Sequence, residues 1–174
     1  MPKKILVVYT SKYGSTRKYA EWIALAVSAD LFDAKKVDPK ALSQYDVVIY
    51  GGGLYASGIA GVKLVTQNFC KNLIVFTVGL ADPNTTDYSA IINKNFTPGL
   101  ISKTKFFHLR GGIDYKKLSS MHRVMMTMMK GMIQRKPESD RAPEDEEFLN
   151  TFNSKVNFED RSAIDSLINF VNGL

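Results

Sequence analysis

The residues best equipped for chemistry follow an apolar run, Ile5-Leu6-Val7-Val8, near the start of the chain. Thr10-Ser11-Lys12-Tyr13-Gly14-Ser15-Thr16 brings hydroxyls, a glycine and a lysine together just before a helix-like pattern. In that pattern Tyr19, Ala20, Ile23, Ala24 and Val27 recur at spacings of one, three and four. Hydroxyls and free backbone N–H groups at a helix start are the donors a phosphate needs. The same residues also suit an ordinary strand-to-helix turn in which Ser15 or Thr16 is only an N-cap. From this stretch alone, both readings stand.

Two further loops have comparable chemistry. Gly51-Gly52-Gly53-Leu54-Tyr55-Ala56-Ser57-Gly58 follows the apolar run Val47-Val48-Ile49-Tyr50, and its three glycines are expected to stop a strand and let backbone approach a ligand. Gly79-Leu80-Ala81-Asp82-Pro83-Asn84 follows Leu73 to Val78. There is no G-x-G-x-x-G after the first apolar run and no P-loop ending in G-K-[ST], so a dinucleotide fingerprint and that route to ATP hydrolysis are both missing. No serine–histidine–acid or paired-carboxylate arrangement emerges, and no residue is singled out as catalytic. His108 and His122 have no carboxylate partner by spacing and read as structural or surface residues. No Cys/His spacing resembles a metal site.

The elements that must position these loops alternate. Strands are expected over residues 4–9, 30–37, 47–50, 73–78 and 105–109. Helices are expected over 16–28, 59–69, a short piece near Tyr88 to Ile92, about 115–134, and a last one capped by Asp160 and carrying Ile164, Leu167, Ile168 and Val171. Residues 136–147, charged and proline-containing, read as an exposed loop. The strands are short, branched and nearly uniformly apolar, as in a parallel sheet covered on both faces. Five strands alternating with helices argue for an open, doubly wound α/β domain, whose ligands bind beyond the carboxyl ends of the strands. All three loops fall on that edge.

At 174 residues the chain reads as one domain. A single cysteine, Cys70, excludes an internal disulfide framework, suits a reducing compartment and reads as a buried, inert thiol. No signal peptide and no spanning segment of roughly twenty apolar residues is visible, so a cytoplasmic location is expected. The formal charge of +6 favours an anionic partner. The lysines are scattered without a recognition motif, so a nucleic acid is not the expected one.

With its three loops the sequence resembles the flavodoxin-like family, whose members bind FMN. The resemblance implies a single domain over 1–174, a five-stranded parallel sheet of order 2-1-3-4-5, and a helical insertion after the fifth strand at about 113–157. It assigns Ser11, Gly14, Ser15 and Thr16 to the FMN phosphate, with Thr10, Lys12 and Tyr13 beside them. Gly52, Gly53, Leu54, Tyr55 and Ala56 fall on the first isoalloxazine loop, with Tyr55 stacked on or beside the ring. Gly79, Leu80 and Ala81 fall on the second isoalloxazine loop. That loop lacks the aromatic residue many electron-carrier flavodoxins have, leaving a face open to a substrate or covered by Tyr88.

Within the superfamily the sequence is most similar to the quinone-dependent protoporphyrinogen oxidase branch, through the T-R-K-x-A phrase at Thr16 to Ala20 and a basic, methionine-rich segment beyond the fifth strand. Arg110-Gly111-Gly112-Ile113-Asp114-Tyr115 departs from the alanine-glycine phrase expected there. The branch implies an enzyme passing electrons from a small organic donor to a quinone, at or near the inner membrane surface. The alternatives are a flavodoxin-type shuttle serving a redox protein and a flavin-free α/β binding domain. In the methionine-rich segment, Leu118, Met121, Met125, Met128 and Met132 recur at spacings of three and four, broadened by Val124 and Met129. Arg123, Lys130, Arg135 and Lys136 add positive charge. The stripe reads first as packing against the domain, and second as a surface for a membrane or a flat apolar substrate.

Overall fold

The computed structural model describes residues 1–55 and 58–174. Its elements in chain order are β1 (Ile5–Thr10), α1 (Ser15–Val27), β2 (Asp30–Asp33), β3 (Val47–Tyr55), β4 (Gly58–Ile59), α2 (Lys63–Thr66), β5 (Leu73–Gly79), α3 (Ser89–Asn95), α4 (Pro98–Ile101), β6 (Thr104–Arg110), β7 (Gly112–Asp114), α5 (Ser120–Gln134), α6 (Pro143–Thr151), β8 (Lys155–Asn157) and α7 (Asp165–Gly173). The main sheet runs β2-β1-β3-β5-β6, with every neighbouring pair on this path parallel. This is the expected 2-1-3-4-5 order in a flavodoxin-like α/β sandwich. The short β4 folds back antiparallel on the end of β3, and β7 and β8 form a separate antiparallel ribbon.

Strand alternation builds the two layers. Val7, Ile49, Ile74, Phe76 and Val78 face α1 and α7, whose Tyr19, Ile23, Leu167 and Val171 are fully or almost fully buried. Leu6, Val8, Val48, Tyr50, Leu73 and Val75 face the other side, against Leu42, Val62, Val65 and Phe96. Both faces of the central strands are therefore apolar, as expected of a doubly covered parallel sheet.

Several boundaries differ from the sequence reading. The glycine triplet does not stop the third strand: β3 runs through it to Tyr55. A Cβ on Gly51 would lie 2.1 Å from Cζ of buried Phe76, so the bare backbone makes room for that ring. The helix expected over 59–69 shrinks to Lys63–Thr66, because Gly58–Ile59 pairs with β3 and Gly61 turns with φ +68°. Phe69, beyond the shortened helix, is 70% exposed. The second strand ends at Asp33, where the Asp33 carboxylate accepts from Lys35 N–H and starts a 3-10 turn. The charged stretch 136–147 is not all loop: Pro143 opens α6, whose Asp145 accepts from Ala142 N–H and pairs with Lys136. Cys70 is half-buried, and burial pushes its thiol up to about 11, which keeps it protonated and inert.

Where β5 meets β6, buried Thr77 shares a 2.6 Å hydrogen bond with Nδ1 of His108. The ring of Tyr88 stacks on that imidazole at 3.6 Å and 8°. Tyr88 is itself buried and has little ring to offer a ligand.

Two outcomes are expected. Gly51→Ala drives a methyl into Phe76 and lowers unfolding free energy by about 1–3 kcal/mol, measured by denaturant melts. Burial pushes His108 down to about 4 from 6.5. The unfolded chain therefore takes up the proton first, so stability is full above about pH 6.5 and falls as pH drops toward 4, by at most about 3 kcal/mol. Urea midpoints compared at pH 7 and pH 4.5 check this, and His108→Gln should flatten the difference.

Candidate functional site

The carboxyl ends of β1, β3 and β5 lie side by side: Thr10 is in register with Gly52, Gly52 with Thr77, and Gly53 with Val78. The three glycine and hydroxyl loops therefore leave the sheet along one edge, as expected. The leucine and glycine of the second and third loops touch, since a Cβ on Gly79 would lie 3.1 Å from Cδ1 of Leu54.

The first loop ends at Gly14, which takes φ +107° and delivers the chain into α1. No side chain caps this 13-residue helix, and its first turn has no acidic residue. Its opening N–H groups thus present the positive end of the helix without a competing acceptor. Neither Ser15 nor Thr16 serves as the N-cap. Ser11 Oγ accepts from Gly14 N–H at 3.1 Å, which leaves its own proton to donate. Thr16 is buried beneath this turn.

Other residues of the loop are already engaged. Thr10 Oγ1 bonds the hydroxyl of Tyr50, which donates to the Ala60 carbonyl; burial pushes the Tyr50 phenol up to about 12. Ser15 Oγ donates to Glu159 at 2.7 Å and accepts from Gly112 N–H at 3.1 Å. Burial pushes the Glu159 carboxyl up, but hydrogen bonds from Lys18 and Ser15 outweigh it and hold the group below its ordinary value. Glu159 also pairs with Lys18 at 2.6 Å.

Lys12 and Tyr13 turn away from the helix start toward α5. Lys12 Nζ donates to Ser119 Oγ at 3.4 Å, and the Tyr13 hydroxyl accepts from Ser119 N–H. That hydroxyl also shares a 2.5 Å hydrogen bond with Nδ1 of His122. His122 stacks nearly parallel to Tyr55, at 5.0 Å and 11°. Burial, then the charge of Lys12, holds the His122 imidazole below its ordinary value. Tyr55 is half-buried, and burial raises its phenol. Ala56, expected beside it, lies outside the described residues.

The third loop is fixed by Arg110. Its Nε and one Nη donate to the Leu80 carbonyl at 3.0 and 2.8 Å, and the same Nη pairs with Glu147 of α6. The guanidinium lies 3.7 Å from the ring centroid of Phe158. The Gly79 carbonyl accepts from Gly111 N–H, while Leu80 and Ala81 are half-buried. Behind Arg110, its own carbonyl accepts from the Tyr19 hydroxyl, which in turn accepts from Asp160 N–H.

Among the described residues no group of His, Cys, Asp and Glu could hold a metal ion. Local spacing gives Glu159, Phe158, Glu147 and His122 no part in the site, and places Arg110 only near a strand end. Nothing in local spacing marks them, because Ser15 and Glu159 are 144 positions apart and Tyr13 and His122 are 109 apart. Replacing Arg110 by Met leaves the Leu80 carbonyl and Glu147 without their donor. It should cost roughly 1–3 kcal/mol of stability in denaturant melts and release amide protection across residues 79–84.

The flavodoxin domain profile matches residues 6–140. No curated protein matches the chain. Among solved structures, a flavoprotein in complex with FMN from Lactobacillus acidophilus NCFM is 13% identical over 62% of this chain and 92% of that one, with a TM-score of 0.43. The Trp repressor binding protein of Bacillus subtilis is 16% identical over 62% and 85%, with a TM-score of 0.46. A flavodoxin, WrbA-like protein from Agrobacterium tumefaciens is 18% identical over 62% and 83%, with a TM-score of 0.42. These likenesses are distant and assign no residue of the site. The profile match runs from within β1 past the end of α5 and takes in all three loops, so the chain belongs to the flavodoxin domain family.

Proposed function

We propose that this chain holds FMN across the three loops and works as an FMN-dependent oxidoreductase. In this reading it takes electrons from a reduced small organic donor, protoporphyrinogen in the branch the sequence resembles, and passes them to a quinone. The observation that carries the cofactor assignment is the bare start of α1, uncapped, free of acidic residues and entered through Gly14. A doubly charged phosphate satisfies those N–H groups, and the hydroxyls of Ser11 and Thr16 lie in the same turn. Thr10 and Ser15 are held by Tyr50 and Glu159, so they shape the turn instead of binding the anion. This narrows the set drawn from the family pattern.

FMN, when bound, supplies the reversible electron and hydride chemistry. The chain's own residues bind, orient and shield. Tyr55 already accepts a flat ring in parallel contact, which supports its role beside an isoalloxazine. Arg110 fixes the Leu80 carbonyl, so the third loop presents a set arrangement of backbone groups to a ring edge. Gly52 and Gly53 are buried, and their bare backbone makes room for Ile59, the Ala60 carbonyl and the Tyr55 ring, which sets the shape of the second loop.

The visible spectrum of the purified protein, with the released chromophore identified, tests the reading. Expected is a flavin spectrum from FMN. Ser11→Ala combined with Thr16→Val should weaken FMN binding by roughly 10- to 100-fold per lost charged hydrogen bond while leaving riboflavin binding unchanged. Protein that neither carries FMN nor takes it up would overturn the assignment. Turnover of protoporphyrinogen with a quinone supports the enzyme; transfer only to another redox protein replaces it with a shuttle.

A further inference from the structure

We propose that the cleft between α5 and the turn after α6 is a binding site for a small phosphomonoester, a dianionic phosphate carried on a short flat or apolar group. The proposal goes beyond the cofactor reading and does not rest on it. The cleft has a volume of about 320 Å³ and is lined by Tyr115, Lys116, Arg123, Thr127, Phe152 and Asn153. Its walls come from three places: the 3-10 turn Tyr115–Lys117 that follows β7, the middle of α5, and the residues between α6 and β8.

Helix geometry separates this cleft from the methionine stripe. The stripe, expected first to pack against the domain, faces solvent, with Met121, Met128 and Met132 63–66% exposed. At about 100° per residue, Arg123, Thr127 and Lys130 fall within about 60° of one another, on the far side of the helix from those methionines.

Two cations, Lys116 and Arg123, line the cleft, and a third, Lys130, stands over its Phe152 wall. Among the described residues none of the three forms an ion pair with a carboxylate. Two are held by uncharged partners instead. One Nη of Arg123 donates to the Lys116 carbonyl at 2.9 Å, and Lys130 Nζ lies 4.5 Å from the Phe152 ring centroid. A guanidinium fixed through one nitrogen keeps its other N–H groups for a ligand. The neighbouring carboxylates are occupied. Asp114 accepts from Lys116 N–H and stands opposite Lys155 in the β7–β8 ribbon. On α6, Asp145 pairs with Lys136, Glu146 with Arg141 and Glu147 with Arg110.

Charge and shape select the ligand. A single carboxylate would leave most of this positive charge uncompensated. A phosphomonoester carries close to two negative charges at pH 7 and three acceptor oxygens. The volume is at the lower end for small-molecule sites, which leaves room for a short body behind the phosphate. The floor suits that body: Tyr115 is buried and meets Phe152 edge-on, with ring centroids 5.2 Å apart.

The test is isothermal titration of the full chain with phenyl phosphate, on protein as purified and after saturation with FMN. Expected is saturable binding with a Kd below about 1 mM, present in both samples and weakened by salt. Inorganic phosphate, which lacks the ring, and benzoate, which lacks the second charge, should each bind at least about five-fold more weakly. Arg123→Gln should weaken phenyl phosphate by about ten-fold, and Lys116→Gln and Lys130→Gln each by about three- to ten-fold. Arg123 and Lys116 are exposed, and thermal melts confirm that the variants fold. Ser11→Ala with Thr16→Val should leave phenyl phosphate binding unchanged. No saturable binding, or binding untouched by Arg123→Gln, overturns the proposal. So does phenyl phosphate that is lost both on FMN saturation and in the Ser11, Thr16 variant, since it then sits at the start of α1. Benzoate binding as tightly as phenyl phosphate overturns the dianion, and inorganic phosphate binding as tightly overturns the apolar body. Flavin content is read on the same samples, so failure of the cofactor reading and failure of this cleft remain distinct.

Discussion

The guanidinium of Arg110 is the joint on which the ligand edge depends. It ends β6 and holds the Leu80 carbonyl of the third loop, Glu147 of α6 and the ring of Phe158. A planar group with several fixed donors can make a bidentate contact, an ion pair and a ring contact at once, which a lysine could not. Its carbonyl side continues the connection through the Tyr19 hydroxyl to Asp160. One residue thus ties the loop after β5 to α1 and to the segment beyond β6. Burial of the guanidinium makes these contacts matter, since its donors would have little water to turn to without the Leu80 carbonyl.

A second consequence is that the segment following β6 is built onto the same edge as the three loops. Gly112 N–H reaches Ser15, Ser119 receives Lys12, and His122 reaches Tyr13 and Tyr55. Whatever the edge binds, α5 borders it. The helix is two-faced in a particular sense: its inner side takes part in the polar and aromatic contacts of the loops, while its outer side is apolar and unpaired. A purely structural extension would bury the methionines and expose the histidine, which is the reverse of what is found.

The sheet was legible because both its faces are covered. Uniform apolar runs mark Ile5–Thr10, Val47–Tyr50 and Leu73–Val78 regardless of context, and their order follows from the connections between them. The glycine triplet misled because glycine usually ends strands; here Phe76 fills the space at Gly51, Ile59 and the Ala60 carbonyl that at Gly52, and Tyr55 that at Gly53. Helix α6 was hidden by its composition. It is polar nearly all round, and its order comes from Asp145 and Glu147 meeting Lys136 and Arg110. Of the site, the helix start and the glycines could be read locally, but the hydrogen bond that engages Ser15 could not, because Glu159 arrives from the far end of the chain. The methionine periodicity defined a face without saying which side the domain lies on, and only Ile133, Met126 and His122 settle that.

The geography of charge follows from the same arrangement. The six basic residues of 115–136 equal the chain's formal surplus, but the acidic stretch that follows them, Glu138 to Glu147, folds back into α6 and pairs Asp145 with Lys136. At physiological salt a field decays over about 8 Å, so a cationic segment influences only what it borders. Lys12 touches Ser119 at the cap of α5 while belonging to the loop that enters α1, so the cationic segment and the open helix start meet at one residue. Glu159, beside the same turn, is itself held by Lys18 and Ser15, so its charge is partly offset.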